Sequence, residues 1–170
     1  AYLPLGTGDA VMAYLHQHKV HLTISKERES ILGDYRHRTH TANHRISVNG
    51  NLNHYSFLIT LLHELAHLLT FEQYQTGVQA HGKEWKMIFG HLLKQFIQHK
   101  IFPADIENEL LQSLKNPAAS SCAEDSLLRV LRKYNTKENH HLLVEELEAG
   151  SSFRIKDGRI FRKGEKLRKR

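Results

Sequence analysis

Apolar residues recur along this chain with two different periods, and the change from one to the other predicts the order of its elements. Pro4 and Gly6-Thr7-Gly8-Asp9 precede the run Ala10–Leu15, which predicts a capped helix to about His18. Val20, Leu22 and Ile24 then alternate with polar neighbours, the two-residue period of a half-buried strand. Ile31–His37 predicts a second strand, with Gly33 marking a bulge, and Arg45–Asn49 a third, ended by Asn49-Gly50. Beyond Asn53, placed as an N-cap, the period becomes helical over about Tyr55–Thr70, and that helix is apolar around most of its surface. Gln73–Ala80 is polar and reads as a loop. From His81 a new helix begins, in which Trp85, Ile88, Phe89, Leu92, Leu93 and Phe96 form a stripe of core residues. Pro103 starts another, with Ile106, Leu110, Leu111 and Leu114 inward. Asn116–Ser121 reads as a linker, and Leu127, Leu128, Val130 and Leu131 predict a last helix to about Tyr134.

Near Asn135 the pattern changes again. Phe153-Arg154-Ile155 and Arg159-Ile160-Phe161 flank an Asp-Gly turn and predict a β-hairpin. A lone hairpin is marginal in water, so it docks on the body or belongs to a module completed beyond Arg170. Strands followed by helices give an α+β body, residues 1–134. A small three-stranded sheet is expected to pack on the Asn53-capped helix and the helices after it. Residues 135–170 form a separate, basic C-terminal segment.

Charge sharpens that division. Residues 151–170 hold nine Lys or Arg and two acids, a net of +7, whereas residues 1–150 hold 15 basic and 16 acidic residues, a net of −1. A nucleic-acid partner would find its electrostatic footprint at the C-terminus. The single cysteine, Cys122, excludes an intramolecular disulfide and a four-cysteine zinc ribbon within this chain, which fits a reducing, cytoplasmic setting. No apolar run reaches the ~18 residues of a membrane span, and no signal pattern opens the chain, so neither a span nor secretion is expected.

The apolar helix carries an anomaly: His63-Glu64-Leu65-Ala66-His67. One turn apart, His63 and His67 share a face and can reach one metal ion. Glu64 is rotated by about 100° from His63, so it can face an activated water without taking a coordination site. This is the pattern of two zinc ligands with a general base. Two imidazoles and a carboxylate in a Leu-rich helix are costly unless something satisfies them, and a metal is the most economical partner. A third ligand should follow after a loop. His81, at the mouth of the next helix, is favoured, with Glu84 second and His91, outside the apolar stripe, as the other competitor.

At these residues the chain resembles a family. Leu61-Leu62-His63-Glu64-Leu65-Ala66-His67, followed by His81-Gly82-Lys83-Glu84-Trp85, is similar to the SprT-like zinc metallopeptidases, which include the eukaryotic DNA–protein-crosslink protease Spartan. The likeness covers roughly Val20 to Phe96. It implies a zincin-like core, a Zn²⁺ ion on His63, His67 and His81, Glu64 as the catalytic residue, and a protein or peptide substrate. One departure stands out: bacterial SprT proteins carry a four-cysteine C-terminal ribbon, and here a basic hairpin takes that place.

The chemistry expected is hydrolysis of peptide bonds, with Glu64 moving the proton from water to the leaving amine. Flexible or unfolded substrates, bound or crosslinked to DNA, fit strand addition along an edge strand beside the motif helix, placed at Ile46–Asn49. Tyr35, His37, Arg45 and Tyr74 are conceivable helpers without a spacing argument. Two rivals remain: a nucleic-acid-binding protein with a structural or vestigial metal site, and a metal-dependent hydrolase acting on something other than peptides.

Overall fold

A computed structural model describes residues 2–114, 125–135, 142–155 and 157–165. Cys122, the linker read at Asn116–Ser121 and the basic residues from Lys166 onward lie outside the described residues. The chain divides into two units, Ala1–Thr136 and Lys137–Arg170.

The first unit runs α1 (Gly8–Gln17), β1 (His21–Ser25), β2 (Gly33–Arg36), β3 (Arg45–Asn49), α2 (His54–Tyr74), α3 (Lys83–Gln98), α4 (Ala104–Ser113) and α5 (Asp125–Arg132). It is a mixed α and β arrangement, five helices with one small sheet among the described residues. The sheet order is β1-β3-β2, with β1 parallel to β3 and β2 antiparallel to it. Arg45–Asn49 is thus the central strand, not an edge. Its Ile46 and Val48 are sealed against the helices while both its flanks are hydrogen-bonded. The edge strand beside α2 is β2. Gly33 is no bulge either, because it pairs in register with Val48.

The loop between β1 and β2 is tied over the end of β3. Arg28 Nε donates to Asn49 Oδ1 at 2.8 Å and Nη1 to Ser47 Oγ at 3.0 Å, while Asn49 Nδ2 donates to Ile31 O at 3.0 Å.

The centre of the core is α2, with every residue from Ser56 to Ala66 buried. The sheet lies on one side of it and α3 on another. Fully burying a Leu or Phe is worth about 1.5–3 kcal/mol, so Phe57, Leu58, Leu61, Leu62 and Leu65 anchor this helix strongly. Its start is fixed by Asn53, whose Oδ1 accepts from Tyr55 N–H at 3.1 Å and Ser56 N–H at 2.9 Å. The same side chain donates to Leu131 O and Asn135 Oδ1, which ties the cap to the end of α5. The helix extends a turn past the expected Thr70, because Phe71 and Tyr74 are still half-buried. In α4, Ile106 and Leu110 point inward and Leu114 packs at the core's margin, but Leu111 is 44 % exposed. A short helix buries one narrow face, and Leu111 stands about 100° from Leu110.

In the second unit, β4 (Ser152–Arg154) pairs antiparallel with β5 (Ile160–Arg162), placing Phe153 opposite Phe161. Their rings stack at 5.9 Å, and Arg159 lies over the Phe161 ring at 5.6 Å. Among the described residues no helix is long and apolar enough to cross a membrane.

Candidate metal centre

Two of the three imidazoles come from one helical face. His63 Nε2 and His67 Nε2 lie 3.2 Å apart. The third ring arrives on the loop that follows. Gln75, the C-cap of α2, takes a positive φ (53°), and the chain turns back through Gln79, whose carbonyl accepts from Gly82 N–H at 3.0 Å. A side chain at Gly82 would press on Gln79 O and Glu84 Oε2, each 3.2 Å from its Cβ position. The helix expected to open at His81 begins instead at Lys83 with Gly82 as its N-cap, which leaves His81 on the turn before it. From there its Nε2 stands 3.2 Å from that of His63. All three ligand atoms lie within 4.8 Å of one another.

These distances fit a metal ion. Metal–nitrogen bonds of about 2.0–2.1 Å at tetrahedral angles separate two ligand nitrogens by roughly 3.3 Å. Proton sharing does not account for the cluster as well, since His63 Nε2 faces two other Nε2 atoms and can donate to only one. Burial also keeps the rings neutral, the form that ligates. The His63 imidazole is held down at about 3 by burial first and then by His67 and His81. His67 is held at about 4, and His81 also lies below its ordinary value, each chiefly through burial. His63 Nδ1 is buried with no hydrogen-bond partner among the described residues, as are Thr60 Oγ1 and Trp85 Nε1.

Glu64 follows His63 on α2 and is only 5 % exposed. Burial pushes its carboxyl up to about 8; Asp34 adds to the rise and Arg28 opposes it. Gly33 explains how β2 fits over this carboxylate. A Cβ at Gly33 would stand 2.5 Å from Glu64 Oε1, 2.8 Å from Thr60 Cγ2 and 2.9 Å from Glu64 Cγ. Glycine inside a strand signals close approach, and here the approaching group is the acidic residue of the motif.

The remaining candidates separate clearly. Glu84, 3.9 Å from Lys83 Nζ, and the exposed His91 stand outside the imidazole cluster. Tyr35 lies parallel to the His67 ring at 6.4 Å, with its hydroxyl 2.9 Å from His44 Nδ1. His37 stacks on Phe71 at 4.6 Å, Arg45 is exposed on β3, and Tyr74 ends α2.

Two contributors carried no spacing signal. One is His44, 2 % exposed, with Nε2 3.2 Å from Glu72 Oε1; burial keeps it below its ordinary value against the pull of Glu72. Arg38 N–H donates to His44 Nδ1, which leaves Nε2–H to donate to Glu72. The other is Trp85, which the sequence places in the core stripe and in the segment His81–Trp85, with no spacing argument of its own toward the imidazoles. It is fully buried, and its ring packs against His63 and His81 at 4.7 Å each and His67 at 5.3 Å.

No curated protein and no solved structure matches the chain. A model of the SprT-like family does match, over residues 8–106, from α1 through the sheet, α2 and α3 into α4. That span is more than half of the 170 residues and contains the whole imidazole cluster, and the chain therefore belongs to the SprT-like family.

Proposed function

We propose that this chain is a zinc-dependent metallopeptidase acting on flexible or unfolded protein segments. The observation that carries this reading is the convergence of three imidazole Nε2 atoms beside a buried glutamate. His63, His67 and His81 would hold the ion and leave a four-coordinate site one open position. Bound there, zinc supplies Lewis-acid activation of water and of the scissile carbonyl. A purely structural site is disfavoured, because structural zinc takes four protein ligands and this cluster offers three among the described residues.

The chain's own groups do the rest. Glu64 accepts a proton from the attacking water and passes it to the leaving amine. Its position under Gly33 keeps it out of bulk solvent and fixed against β2. No strand among the described residues pairs with the outer flank of β2, which can therefore hydrogen-bond an extended peptide. Only segments that can straighten would fit, which selects unfolded or flexible chains over compact ones. The nine Lys or Arg of residues 151–170 support a second contact, with nucleic acid, and so a substrate bound or crosslinked to DNA.

The test is zinc content measured alongside casein cleavage, with and without single-stranded DNA, for wild type and Glu64→Gln. The reading expects a zinc-loaded, inactive variant. Cleavage by Glu64→Gln at the wild-type rate would remove the general base from this account.

A further inference from the structure

The three alternate residues Gly33, Tyr35 and His37 meet α2 at Glu64, His67 and Phe71, so β2 and its continuation run along the helix from Glu64 past the imidazole of His67 and then away from the cluster. Where this track ends there is a cavity of about 470 Å³, walled by His37, Arg38, His40, Phe71, Gln75 and Thr76. We propose that this cavity is a subsite for an acidic side chain of the substrate, roughly three to five residues on the N-terminal side of the scissile bond. It rests on the peptidase reading above.

The chemistry of the walls selects the ligand. They offer a guanidinium, imidazole nitrogens, an amide and a hydroxyl, and no carboxylate. Phe71 supplies an apolar surface for a methylene stem. Arg38 is held in place from behind, its Nη2 3.2 Å from Glu72 Oε1 and its backbone N–H on His44 Nδ1. A guanidinium carries five donors, and this one contact leaves a fork suited to a carboxylate.

The direction follows from the strand. Antiparallel pairing is the more stable per residue, so a peptide added to the flank of β2 that no strand among the described residues pairs with runs opposite to it. Its N-terminal part then lies over Arg36–His40. From Gly33, beside Glu64, to His37 is four residues, about 13 Å of extended chain. A nucleic-acid backbone is the weaker candidate, because it needs a row of cations and finds here one walled cavity with Glu72 behind its only guanidinium.

The experiment is a set of quenched fluorogenic peptides in which Glu, Gln or Lys is walked through each position, with kcat/KM measured for the zinc-loaded full chain. Glu should exceed Lys by about tenfold at one position upstream of the cut. Arg38→Gln should bring that ratio to unity. Thr76→Glu, which leaves the Arg38–Glu72 pair in place, should invert it. Cleavage without a preference for Glu, or with a preference only downstream, overturns the subsite and spares the peptidase reading; cleavage of no peptide overturns both. Inhibition of the Glu peptide by single-stranded DNA, abolished in Arg38→Gln, overturns the subsite in favour of a phosphate site.

Discussion

Gly33→Ala tests how the acidic residue of the motif is positioned. The added carbon would stand 2.5, 2.8 and 2.9 Å from Glu64 Oε1, Thr60 Cγ2 and Glu64 Cγ, where carbon atoms prefer about 3.5–4.0 Å. Relief requires β2 to retreat by about 1 Å or the Glu64 carboxylate to swing out of its buried position. Overpacking of this kind costs about 1–3 kcal/mol, a loss of a few degrees in Tm for a chain of this size. On the role proposed for Glu64, a displacement of about 1 Å costs about a hundredfold in rate. The three atoms that crowd this position belong to Glu64 and Thr60 and none to an imidazole, so the metal should stay. Thermal melting, elemental analysis and peptide hydrolysis on the same preparation read all three quantities. A variant with wild-type kcat/KM and wild-type Tm refutes the close approach, and one that loses its metal shows that the strain is relieved through α2 instead.

Three further outcomes follow from the same geometry. His81→Ala should deplete the metal in elemental analysis while the fold persists, since the ring sits on a half-exposed turn; unchanged metal content would move the third ligand elsewhere. In the metal-stripped protein, Glu64 is raised from 4.5 to about 8, so its contribution is present below pH 4.5 and lost as pH rises through 8. His63 and His67 are depressed from 6.5 to about 3 and about 4, so theirs is present above pH 6.5 and lost as pH falls through those values. Urea midpoints of the stripped protein should therefore peak near pH 6.5, and Glu64→Gln should flatten the alkaline limb and steepen the rise between pH 4.5 and 6.5; an unchanged alkaline limb would remove Glu64 from this balance. Asn53→Ala, which deletes a cap and removes one of the two donors to Leu131 O, should cost about 1–2 kcal/mol in chemical denaturation, against which an unchanged midpoint would count.

Local periodicity carries only local information, which explains what could be read in advance. His63 and His67 share a face because a helix turns every 3.6 residues, and Asn53 caps because it precedes the first apolar turn; neither depends on distant contacts. Strand order does. Arg45–Asn49 reads the same as an edge or a central strand until β1 and β2 are placed on its flanks. Gly33 shows the same limit: the sequence marks a special backbone position, but only the fold reveals that Glu64 fills the space of the missing side chain. The Tyr35–His44–Glu72 chain joins a strand, a loop and a helix, so no spacing could announce it.

Trp85 is the chain's single tryptophan, and it lies against all three imidazoles with its indole nitrogen unpartnered among the described residues. Its light emission therefore originates within van der Waals reach of the cluster and nowhere else in the chain. Titrating a divalent cation into stripped protein should change that fluorescence stoichiometrically, giving a label-free optical probe of occupancy, and His81→Ala should blunt the response.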